Sequence, residues 1–161
     1  MTDAGDRGVI RRPGEARTIE VGGFTVVVHA DADVTDGAFS LIETGDTEIG
    51  TGPPLHIHRD VAESFFVIDG AYVMVVGTRE VRCEAGSFIH VPRGLPHTFR
   101  VDAPESRKLN LYTPAGMVGY FDDLAAGIRA GLGPERLDAI AERYAMDVVG
   151  AIPEGYLSAD P

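Results

Sequence analysis

The chain has 161 residues, 25 acidic and 14 basic, for a net charge of −11, and 44 % of it is hydrophobic. This length suits one domain with a single buried core, and the composition is that of a folded globular chain. The acidic balance, with one lysine (Lys108) and scattered arginines, excludes a general phosphate-binding role, so neither nucleic acid nor an anionic membrane is an expected partner.

Residues 1–16 are rich in Gly, Asp and Arg without periodicity and read as a flexible N-terminal arm. No apolar stretch follows a basic start there, and the longest apolar run, Ala71–Val76, is far short of the roughly 20 residues that span a bilayer. A cytoplasmic protein is the expectation. From residue 17 to 114 the texture is of short strands broken by Gly, Pro and Asp. Thr18–Val21 and Phe24–His29 flank the hairpin signal Gly22-Gly23. Ala38–Glu43, Leu55–His58, Glu63–Ile68, Ala71–Val76, Glu80–Cys83, Phe88–Val91, Thr98–Val101 and Leu109–Thr113 follow. Many short strands at close spacing predict an all-β antiparallel sandwich or barrel. Residues 115–161 read as a helical extension packed on the barrel. In it Val118, Phe121, Leu124, Ala125 and Ile128 fall at helical spacing, and Pro134 opens a second helix.

The chemistry-bearing residues lie in the middle of the chain. His56 and His58, two apart in a strand, present both imidazoles to one face. Glu63 follows after a tight connection, and His97 follows the turn-rich Arg93-Gly94-Leu95-Pro96. Three imidazoles and one carboxylate make a coherent ligand set for one divalent transition metal, with Fe, Ni, Mn, Co, Cu and Zn undistinguished. The same strand alternation places Phe65 and Val67 on the face of Glu63, Phe99 on that of His97, and Met74 beside them. These four form the expected apolar substrate pocket. His90, His29 and Cys83 lack ligand-spaced or catalytic neighbours and read as structural. Cys83, the single cysteine, excludes an intramolecular disulfide.

Two spacings carry a resemblance. Gly50, five residues, His56-x-His58, four residues, Glu63, six residues, Gly70 resembles the first motif of the cupin superfamily. Gly86, five residues, Pro92-x-Gly94, two residues, His97 resembles the second, with Val101 where the family usually has Asn. The resemblance implies a double-stranded β-helix, or jelly-roll barrel, holding one metal through His56, His58, Glu63 and His97. Gly52-Pro-Pro-Leu-His56, Phe65-Phe66 and Thr113-Pro-Ala-Gly116 with Tyr120-Phe121 further resemble single-domain cupins of the quercetin dioxygenase type. That implies a metal-dependent dioxygenase taking dioxygen and a small aromatic, flavonol or polyketide-like molecule, with Glu63 as ligand and general base. The alternatives are an isomerase or cyclase working without dioxygen and a non-catalytic binding cupin. By the same analogy a homodimer is expected, exchanging strands of Thr18–His29.

Overall fold

The computed structural model describes residues 8–46 and 48–151; residues 1–7 of the expected arm and 152–161 of the expected extension lie outside the described residues. The strands are β1 (Arg17–Val21), β2 (Phe24–Ala30), β3 (Ser40–Asp46), β4 (Leu55–His58), β5 (Ala62–Asp69), β6 (Ala71–Val76), β7 (Arg79–Glu84), β8 (Phe88–Val91), β9 (His97–Val101), β10 (Ser106–Thr113) and β11 (Met146–Gly150). The helices are α1 (Ala32–Thr35), α2 (Val118–Arg129) and α3 (Pro134–Arg143).

All the pairings are antiparallel and make two sheets, ordered β1-β2-β3-β10-β5-β8 and β11-β4-β9-β6-β7. This is the expected jelly-roll barrel. Along β5 burial alternates, with Glu63, Phe65 and Val67 buried and Phe66 at the surface, so the sequence's period of two sets which face looks inward. Strand β10 inverts the usual pattern. Its buried positions are Ser106, Lys108, Asn110 and Tyr112, whereas Leu109 and Leu111 are only half-buried. A barrel interior that takes polar side chains in a row is built for more than packing.

Two apolar cores bracket that interior. One joins β1–β3 to the helices through residues such as Val26, Ile42, Met117 and Phe121. The other fills the opposite end with Phe65, Val67, Tyr72, Met74, Val91 and Val101. The predicted helices form, α3 with Pro134 in its first turn. Met146–Gly150, however, leaves the helical extension and pairs with β4 as an edge strand. Its short apolar run beside Gly150 suits a strand, but its partner lies about ninety residues earlier, and only the fold brings them together. Thr18–His29 lies within β1 and β2, which pair with each other and, through β2, with β3 of the same chain. No helix among the described residues is long and apolar enough to cross a membrane.

Candidate metal centre

Strand β4 supplies His56 and His58 on one face, β9 supplies His97 directly opposite His56, and β5 supplies Glu63 from the other sheet. Several backbone contacts fix these elements. Gly94 N–H donates to the His58 carbonyl at 2.8 Å, holding the turn before His97 against β4. The Thr98 hydroxyl donates to the Pro53 carbonyl at 2.6 Å. At Gly52 a Cβ would lie 1.8 Å from the Phe99 carbonyl oxygen, so only glycine lets the chain entering β4 run this close to β9.

The structure brings His56, His58, Glu63 and His97 together, all buried, with one potential ligand atom from each lying within 4.8 Å of the others. Glu63 Oε2 is 3.0 Å from both His58 Nε2 and His97 Nε2. That is the separation of adjacent ligands each about 2.1 Å from a shared ion. His56 Nδ1 and His97 Nδ1 donate to the carbonyls of Pro54 and Leu95 at 2.8 and 3.0 Å. These bonds fix the rings and turn each Nε2 toward the centre, as in metal-ligating histidines generally. Asn110 donates to Glu63 Oε1 at 2.9 Å. The donor set, its convergence and its outer hydrogen bonds fit a divalent transition metal.

Electrostatics support the same reading. Burial pushes Glu63 upward, but the hydrogen bonds and charges of His58 and His97 outweigh it and hold the carboxyl well below its ordinary value. Burial, reinforced by His97, pushes His56 down to about 3, so its ring stays neutral and its lone pair available. Burial also depresses His97, but its hydrogen bonds to Glu63 and Leu95 and the Glu63 charge raise it overall. Tyr112 lies edge-on to His58, ring centroids 5.8 Å apart. Burial and the neighbouring Glu63 raise its hydroxyl well above the usual range, leaving a neutral donor at the site.

A cavity of about 470 Å³ opens from the centre, and Phe65 and Phe99 line it. Val67 and Met74 are buried in the far core and are not among its lining residues. Tyr112 and Tyr120, which the sequence allows to reach the mouth, line the cavity; the sequence did not single out Asn110 or Lys108, which line it with Tyr112 from one face of β10. The alternation of polar residues with Leu109 and Leu111 was the available signal. Lys108 donates to Thr44 Oγ1 at 2.7 Å, and its ammonium stands 3.9 Å from the centroid of the Phe99 ring. Val101, in the place of the motif asparagine, is fully buried among apolar side chains, and its backbone pairs with Gly50 and Thr51. His90 faces Ser64 on the outer surface, and His29 faces Glu43. Cys83 is half-buried, its thiol pushed up by burial.

A sequence profile described as Cupin domain matches residues 44–109. A quercetin 2,3-dioxygenase of Bacillus subtilis (strain 168) is 27 % identical over 109 residues, covering 68 % of this chain and 32 % of that protein. The chain thus spans about a third of that relative's length. Among solved structures, KdgF from Halomonas sp. matches with a TM-score of 0.60 at 16 % identity, covering 67 % of this chain and 94 % of its own. Pac13, described as a nucleoside dehydratase, matches with a TM-score of 0.57 at 13 % identity, covering 92 % and 97 %. At these identities the structural likenesses establish the fold.

Proposed function

We propose that this chain, whose residues 44–109 match a Cupin domain profile, is a cupin and a metal-dependent dioxygenase of a small aromatic, flavonol or polyketide-like molecule. The observation that carries the reading is the buried His56–His58–Glu63–His97 cluster at the end of a largely apolar cavity. The likeness to a quercetin 2,3-dioxygenase supports the oxygenase part. A divalent ion held by those four residues supplies Lewis acidity toward a substrate hydroxyl and offsets the charge of the oxyanion formed.

The chain's own residues do the rest. Glu63 is ionised and accepts the hydroxyl proton on a carboxylate oxygen, while Asn110 holds Oε1 in place. Tyr112 remains a neutral donor beside it. Phe65 and Phe99, edge-to-face with centroids 6.1 Å apart, give the ring of the substrate an apolar wall and keep water out.

The test uses metal-loaded protein and quercetin as the probe flavonol. Dioxygen uptake should match loss of the flavonol absorbance one to one, and Glu63→Gln should slow it by about 10²–10⁴-fold. Turnover at an equal rate without dioxygen would move the assignment to an isomerase or cyclase, which the same base and donor would serve. Binding with no product would leave a small-molecule-binding cupin.

A further inference from the structure

The cavity has two chemically different ends. The inner end carries His56, His58 and Glu63 together with Asn110, Thr44 and Lys108. The other end is built by segments outside the two motifs and is mostly apolar: Met117, Phe121 and Leu124 at α2, and Leu137 and Ala141 on α3. Tyr120 and Asp138 are the polar side chains contributed by the helices there. The helices are not a loose appendage. They pack on each other, on β1 and, through α3, on β11, and Phe121, Ala125, Ala141 and Met146 belong to the same buried core as Tyr112 beside the metal centre. At about 470 Å³ the chamber lies within the roughly 300–1,000 Å³ usual for small-molecule sites, and one ring at the metal end leaves its helix-facing half open.

Resting on the metal-dependent reading above, we propose that this helix-facing half is the specificity pocket of the site. The substrate is then an elongated amphiphile. Its adjacent oxygen groups sit at the His–Glu end, and a second ring or apolar chain of equal size lies against Phe121, Leu124 and Leu137. Burying a ring on those side chains removes apolar area from water, a gain that an oxygenated head alone does not obtain.

The probes are catechol and 4-phenylcatechol, which share a head and differ by one ring, titrated anaerobically into Co(II)-loaded protein. In the wild type 4-phenylcatechol should bind at least about tenfold tighter. Leu124→Trp, which fills the pocket, should reduce that ratio below about threefold and leave catechol binding within about twofold. Leu137→Phe carries the same test should the first variant fail to fold. An unchanged ratio in the folded variant, or equal weakening of both probes, overturns the proposal. N-phenyl-1-naphthylamine fluorescence separates the two readings, because it needs no metal. Binding to chelator-stripped wild type that Leu124→Trp or Leu137→Phe removes supports the pocket even if metal loading fails. Equal binding to wild type and variants overturns the pocket even if the metal loads.

Discussion

Asn110 donates to Glu63 Oε1 and so leaves Oε2 facing two imidazole nitrogens. Removing that donor frees the carboxylate to rotate and leaves Oε1 buried without this partner. Asn110→Ala should therefore weaken metal binding by about 10–100-fold while the folded chain persists, as read by competition with a chromophoric chelator. Unchanged affinity would show that Asn110 does not position the ligand. The four clustered residues were legible in the sequence because a period of two and a few glycine and proline spacings are local features. Asn110 was not, because its role depends on β10 pairing with β5, where Asn110 lies opposite Phe65 and Tyr112 opposite Glu63. Val67 and Met74 show the limit of alternation. It places them on the inward face, but the inward face continues past the cavity into the far core.

At the scale of elements, the turn from β5 to β6 depends on Gly70. Its φ is +72°, and an added Cβ would lie 2.7 Å from the Ser106 Cα. The Ser106 hydroxyl at that contact bonds to the Ala71 N–H and carbonyl at 3.0 and 3.1 Å, tying the start of β6 to β10. Backbone cannot give way there as a flexible side chain would. Gly70→Ala should cost roughly 2–4 kcal/mol, measured as a lowered midpoint in chemical denaturation, and a loss under 1 kcal/mol would contradict this geometry. The barrel strands and both longer helices were legible from periodicity and turn residues. Strand β11 was not. Met146 is buried and pairs with His58, whereas Val149 is exposed, a pattern too short to tell from the end of a helix until β4 offers its edge. Because β11 flanks the strand that carries both histidines, Met146→Ala should cost about 2–3 kcal/mol in the same denaturation assay. A smaller loss of metal affinity than Asn110→Ala produces should accompany it, since β11 supports β4 without touching the ion. The reverse order would show that β4 depends on its outer neighbour more than Glu63 depends on Asn110.

For the whole molecule, charge and chemistry occupy different parts of the chain. Residues 50–101 hold five acids and five bases, so the net −11 belongs to the flanks, and the cavity's helix-facing half is built by one of those flanks. The proposed metal centre would also have a global role. His56, His58 and His97 stand on the five-stranded sheet and Glu63 on the six-stranded one. An ion bound by all four would therefore be a cross-link between the sheets, added to their packing and to hydrogen bonds such as Ser106–Ala71. A ligand that binds only the folded chain stabilises it by about 2.7 kcal/mol at a hundred times its dissociation constant, which for a chain of this size raises the melting temperature by roughly 5–10 °C. Chelator-stripped protein should gain that shift on titration with at least one of Fe, Ni, Mn, Co, Cu or Zn. Glu63→Ala keeps three imidazoles but on one sheet alone, so its affinity should fall, and with it most of the shift measured at the same free metal concentration. Differential scanning calorimetry decides the matter. An equal shift in Glu63→Ala would mean that the ion rests on one sheet, and no shift in the wild type with any of the six ions would remove the metal from the account.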